Sequence, residues 1–145
     1  MWVVFEGLDK TGKTTLEWAF QKKVQFKDLV IDRGPAGYEV LDIMLNRADS
    51  KRTESYKEQA KIVNENKCFF VVYCEASEES VLNRLNSCNE KLPTKSISYK
   101  ECQELYRKKL EEYYNKDKIV YLNTSDLSIE ECVNKIVEYT KKYEN

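Results

Sequence analysis

Short apolar runs alternate along this chain with longer segments whose apolar residues return at helical spacing. Val3, Val4 and Phe5 predict a buried strand over 2–6, and Leu16, Ala19, Phe20 and Val24 predict a helix over 13–24. Leu29-Val30-Ile31 reads as a second, buried parallel strand. Gly34 and Pro35 break it, and Tyr38, Leu41, Met44 and Leu45 suggest a helix to about Asn46. A charged turn over 47–52 leads to a helix over 53–65 with Tyr56, Ala60 and Val63 inward. Cys68-Phe69-Phe70-Val71-Val72-Tyr73-Cys74 is the longest apolar run and is expected at the centre of the sheet. Ser77 then offers an N-cap to a helix carrying Val81, Leu82 and Leu85. Residues 86–97 are polar, contain Pro93 and lack apolar period, so they read as a loop. Ser98 with Glu101 forms a capping box for a helix to about Tyr114, whose core face is Tyr99, Cys102, Tyr106, Leu110 and Tyr113. Residues 119–122 form a fourth strand. Ser128 with Glu131 starts a last helix lined by Ile129, Cys132, Val133, Ile136, Val137 and Tyr139. The alternation predicts a three-layer α/β fold over 1–145, one domain, with about four parallel strands covered by helices on both faces.

The segment between the first strand and first helix carries chemistry. Gly7-Leu8-Asp9-Lys10-Thr11-Gly12-Lys13-Thr14, followed by Thr15, fits the phosphate-loop pattern G-x-x-x-x-G-K-[ST]. Backbone N–H groups of such a loop wrap a nucleotide's phosphates, Lys13 would reach the β- and γ-phosphates, and Thr14 would offer its hydroxyl to Mg²⁺. A strand, a glycine loop and a helix N-terminus together make an anion site, because unpaired N–H groups and the helix dipole face the ligand. The motif predicts that the chain binds a nucleoside triphosphate such as ATP. Other loops at the carboxyl ends of the strands, over 32–37, 75–77 and 123–126, are expected to hold ligands too.

Composition narrows the chemistry. The 145 residues hold 24 basic and 25 acidic side chains, for a net charge of −1, so no global basic field points to nucleic acid. No apolar run approaches membrane-spanning length, and the N-terminus enters the first strand directly, with neither signal peptide nor transit sequence expected. Five scattered cysteines without a C-x-x-C read as reduced thiols of a cytoplasmic protein. There is no histidine, which excludes histidine triads and the usual zinc sets and leaves a carboxylate, lysine or tyrosine as general base.

Phosphoryl transfer requires in-line positioning and charge neutralisation. Asp32-Arg33, at the end of the second strand, can complement the phosphate loop: the carboxylate orients an acceptor oxygen or a Mg²⁺-bound water, and the guanidinium grips phosphate. Phe5-Glu6-Gly7-Leu8-Asp9-Lys10-Thr11-Gly12-Lys13-Thr14-Thr15 resembles the opening of thymidylate kinases and related nucleotide kinases, and Leu29-Val30-Ile31-Asp32-Arg33 resembles their strand ending in Asp-Arg. The resemblance implies a P-loop kinase fold, with ATP and Mg²⁺ as donor and metal. It implies that Asp9 contacts the acceptor's sugar, that Lys10 touches the transferred phosphoryl, and that Asp32 and Arg33 place and clamp an acceptor phosphate. It also implies that Arg84 stands at the root of a lid over 86–97, in which Lys91 and Lys95 are candidate phosphate contacts.

One departure bears on the acceptor. Such kinases usually carry a further strand, helices and an Arg-Glu-Pro loop before the Asp-Arg strand, where this chain has only residues 25–28. The acceptor pocket is therefore expected to be reduced, altered or completed by a second copy in a homodimer. Arg47 and Arg52 are second candidates for an acceptor phosphate, and Tyr38 and Tyr56 for stacking on a base. The expected function is ATP-dependent phosphorylation of a (deoxy)nucleoside monophosphate. A nucleoside kinase, a nucleic-acid 5′-end kinase, an ATPase using Glu75 and a non-catalytic nucleotide-binding module are the alternatives; the acidic balance argues against the nucleic-acid end.

Overall fold

The computed structural model describes residues 1–90 and 97–142. Strands β1 (Trp2–Glu6), β2 (Leu29–Asp32), β3 (Phe69–Glu75) and β4 (Ile119–Asn123) make one sheet in the order β2-β1-β3-β4, every pairing parallel. The connections leave β1 for β2 on one side and return to β3 on the other. The crevice beyond the carboxyl end of β1 is thus the topological switch point, where open α/β sheets bind ligands.

Alternation along the strands feeds two cores. Val3 and Phe5 of β1 and Phe70 and Val72 of β3 pack under helices α1 (Lys13–Lys23) and α6 (Ile129–Lys141). Val4, Val71 and Tyr73 face the other way, toward α2 (Pro35–Met44), α3 (Ser50–Glu65), α4 (Glu78–Ser87) and α5 (Tyr99–Tyr113). Both expected capping boxes are formed, at Ser98 with Glu101 and at Ser128 with Glu131, and Ser77 caps α4 by accepting from Ser80 N–H.

Four expectations need correction. Helix α2 begins at Pro35, three residues before Tyr38, because proline at the first helical position lacks only an N–H that has no helical partner. Helix α3 begins at Ser50 inside the expected turn, since Asp49 caps it by accepting from Arg52 N–H at 2.9 Å. Strand β2 is an edge strand and only partly buried, with Leu29 48 % exposed. Ile129 is half exposed and does not join the core face of α6.

Candidate active site

Gly7 ends β1 at φ 149°, and a Cβ there would come within 2.5 Å of the Cys74 carbonyl, so the loop can leave the sheet here only through glycine. Thr11 Oγ1 donates to the Leu8 carbonyl at 2.7 Å and closes the turn. Lys10 lies in the left-handed region at φ 63°, a conformation costly for a side-chain-bearing residue unless its surroundings enforce it. Arg84 of α4 enforces it, donating from Nη1 to the Lys10 carbonyl at 2.6 Å. Thr124, after β4, donates to the Thr11 carbonyl. Helix α1 starts behind Gly12 with no side-chain cap and no acid in its first turn, so its free N–H groups face the crevice.

Parallel pairing of β1 with β2 puts Asp32 level with Phe5 and therefore beside the loop. The Lys13 ammonium, buried at the start of α1, is ion-paired with the Asp32 carboxylate. Partial burial works against ionisation of Asp32, but the hydrogen bond and charge of Lys13 prevail and hold it below the usual carboxylate range. Glu17, one turn along α1 from Lys13, brings its carboxyl within hydrogen-bonding reach of Asp32. Burial, and then the Asp32 charge, push Glu17 up to about 7. Arg33, also left-handed at φ 67°, donates from Nη2 to Asp9 Oδ1 at 3.2 Å. Lys10 pairs with Glu90 at 3.3 Å.

Two spaces meet at these residues. A polar cavity of about 650 Å³ is lined by Lys10, Lys13, Thr14, Asp32, Arg33 and Arg84, and also by Leu127 and Ile129. A narrower apolar cleft between the loop, α2, α4 and α5 is lined by Val40, Met44, Leu85, Tyr99 and Tyr106. Leu8, Asp9 and Arg33 border both. All of Gly12, Thr14 and Thr15 face or border the larger space, and Gly7 and Thr11 shape the loop from within.

Other expected residues are engaged elsewhere. Arg47 and Arg52 hold Asp42 at 2.7 and 2.9 Å, a carboxylate that also accepts from Tyr56 at 2.7 Å, so they brace α2 against α3. Tyr38 and Tyr56 stack on each other with ring centres 5.9 Å apart. Glu75, the carboxylate an ATPase would use, is bound by the Arg107 guanidinium. Of the expected lid, 86–87 complete α4 and 88–90 follow it; Lys91 and Lys95 lie outside the described residues.

Glu6 was missed by the sequence reading. It is fully buried before the loop, and its carboxyl accepts from Gly34 N–H at 2.9 Å, Gly37 N–H at 3.1 Å, Tyr106 at 2.8 Å and Tyr114 at 2.9 Å. Tyr106 in turn accepts from Gly7 N–H at 2.8 Å. Burial pushes the Glu6 carboxyl up, against the pull of these donors. The signal available was alternation: Glu6 shares the inward face of β1 with Val4, and a carboxyl there requires partners.

No protein-family model matches the chain, and no curated protein matches it in sequence. Solved structures do match in fold. The YorR protein of Bacillus subtilis, determined in complex with phosphorylated GDP, is 16 % identical with a TM-score of 0.69, covering 97 % of this chain and 96 % of that one. A deoxyadenosine kinase from M. mycoides with bound dCTP is 14 % identical with a TM-score of 0.60, covering 98 % and 100 %. Thymidylate kinase from Candida albicans is 10 % identical with a TM-score of 0.55, covering 99 % and 93 %. With its four-stranded parallel sheet and its phosphate loop at the switch point, the chain has the fold of the P-loop kinases.

Proposed function

We propose that this protein transfers the γ-phosphoryl of ATP to a (deoxy)nucleoside monophosphate. The observation that carries the reading is the meeting of a polar cavity, holding Lys13, and an apolar cleft at Asp9 and Arg33. The triphosphate lies in the polar cavity against the loop's N–H groups and the start of α1, and Lys13 exchanges Asp32 for the β- and γ-oxygens. Leu127 and Ile129 give its purine an apolar seat. The acceptor's base and sugar enter the apolar cleft, Arg33 turns from Asp9 to the acceptor phosphate, and Asp9 takes a sugar hydroxyl. Asp32 then orients the attacking oxygen, and Lys10 reaches the phosphoryl in transit. Arg84 holds the Lys10 carbonyl and so keeps the loop in shape for the donor.

The oxygen donors fit magnesium: the Thr14 hydroxyl and Asp32 carboxylate line one cavity, and hard oxygen ligands are what this ion selects. Magnesium held there would neutralise negative charge on the phosphate oxygens. The protein's own part is to position both phosphates in line and exclude water.

The likeness to a deoxyadenosine kinase supports a second reading, an unphosphorylated nucleoside as acceptor. Arg33 would then stay with Asp9, and Asp32 would act as base on a free hydroxyl. Labelled ATP with Mg²⁺ and a panel of nucleosides and monophosphates separates the two by which product carries label. Release of inorganic phosphate alone, with no labelled acceptor, refutes both.

A further inference from the structure

Glu17 has no part in the phosphate-loop pattern, yet its setting is unusual. Its side chain is 8 % exposed, and its Oε1 is buried with no hydrogen-bond partner among the described residues. The nearest ionisable neighbours are the Asp32 carboxyl beside it and the Lys13 ammonium one helical turn back. Two carboxyls that meet at hydrogen-bonding range need a positive charge or a proton between them. In the present arrangement Lys13 supplies that charge. Binding of a triphosphate removes it, because the same ammonium is the group that reaches the β- and γ-phosphates. Asp32 is then left on the wall of the cavity that Thr14 also lines, with the buried Glu17 carboxyl beside it.

We propose that Glu17 and Asp32 act together as a dicarboxylate site for a divalent cation, whose place the Lys13 ammonium holds until nucleotide arrives. Asp32, on the cavity wall, makes the contact; Glu17, behind it, is a positioning residue that fixes the Asp32 oxygens and adds its charge. The set is completed by the Thr14 hydroxyl and by phosphate oxygens of the nucleotide, a hard-oxygen environment suited to Mg²⁺ or Mn²⁺. This rests on the nucleotide-binding reading above and adds to it a second carboxylate that the loop pattern does not contain. It also makes nucleotide and metal interdependent: each cation vacates or fills the site according to where Lys13 points.

The test compares ATP affinity in EDTA with ATP affinity in saturating Mg²⁺, by isothermal titration of wild type, Glu17→Gln and Glu17→Met. The ratio of the two dissociation constants measures what the metal adds. Loss of an outer partner of a metal ligand typically costs about 10–100-fold in metal affinity, so the ratio should fall by about tenfold or more in both variants. ATP affinity in EDTA should hold or tighten, because Lys13 is less strongly retained. The same ordering should appear when Mn²⁺ replaces Mg²⁺ and is followed by its electron paramagnetic resonance signal. A ratio unchanged in both variants, with ATP still bound, overturns the dicarboxylate site and leaves the kinase reading standing. Failure of wild type to bind ATP in either buffer instead overturns the nucleotide reading, and this inference with it. Methionine keeps the volume without a carboxylate, so a defect in glutamine alone would be one of packing and would count against the proposal.

Discussion

Replacing Glu6 with glutamine tests whether one buried carboxyl holds the site together. Four donors converge on it, from the N-cap and first turn of α2 (Gly34 and Gly37) and from the hydroxyls of Tyr106 and Tyr114. Tyr106 is not free to reverse its role, because it already accepts from Gly7 N–H. A glutamine oxygen can take the place of Oε1 and keep three of the contacts. Its NH₂ then occupies the place of Oε2, where the Tyr114 hydroxyl and Gly37 N–H both point inward. A hydrogen bond to a charged group is worth about 1.5–3 kcal/mol, and a buried donor left unpaired costs about 1–3 kcal/mol. Relief from burying a charge offsets part of this, so Glu6→Gln should destabilise by about 2–4 kcal/mol. Urea unfolding at neutral pH measures the difference, with Glu6→Ala as a larger loss. Because Tyr106 passes the contact to Gly7, Glu6→Ala, which removes the Tyr106 partner, should also lower kcat in protein that is still folded. A glutamine variant within about 0.5 kcal/mol of wild type would refute the reasoning, since surface substitutions alone reach that size.

Lys13→Ala should abolish transfer and weaken ATP binding, and turnover at the wild-type rate would end the phosphate-loop assignment. Arg33→Ala should cut kcat/KM for a monophosphate acceptor by about one to two orders of magnitude with ATP binding little changed, as a charge-assisted phosphate contact requires. Asp32→Asn should lower kcat while leaving acceptor binding nearly intact, and the reverse pattern for the pair would favour a nucleoside acceptor. Asp42 lies below its ordinary pKa of 3.8, at about 2, because Arg52, Tyr56 and Arg47 outweigh its burial. The native state thus binds fewer protons than the unfolded chain, and the stability Asp42 contributes is present above about pH 4 and lost as pH falls toward 2. With the arginines half exposed and screened, Asp42→Asn should cost about 1–2 kcal/mol at pH 7 and close to nothing at pH 2, by thermal melts across that range.

What the sequence made legible follows the range over which each feature is determined. The caps at Ser77, Ser98 and Ser128 and the strand periods depend on residues within a few positions, and all of them stand in the structure. Arg84 was placed at the site by resemblance, and its contact is with a loop carbonyl 74 positions earlier. Pairings over such distances leave no local mark. Glu6 with Tyr106 and Tyr114 spans 100 and 108 positions, and nothing near Glu6 distinguishes it from a surface acid except the inward face of its strand. The edge position of β2 was hidden for a related reason: three apolar residues in a row look the same at the centre of a sheet as beside a single neighbour.

The same long-range pairing explains how a cluster of cations is stable before any ligand arrives. Lys13, Arg33 and Lys10 each hold a carboxylate, on Asp32, Asp9 and Glu90, and Arg84 spends its donor on a backbone carbonyl. These pairings bring the cavity close to electrical balance, and its lysines and arginines do not repel one another as bare charges would. A simple anion entering it gains Lys13, Arg33 or Lys10 only by stranding an acid, so its net attraction to them is small. A nucleotide accompanied by a divalent metal differs in kind, because it brings negative oxygens for the basic side chains and positive charge for the acids they release. On the kinase reading, selectivity for the metal-bound nucleotide over free phosphate then follows from these pairings, with the loop supplying the N–H groups common to both.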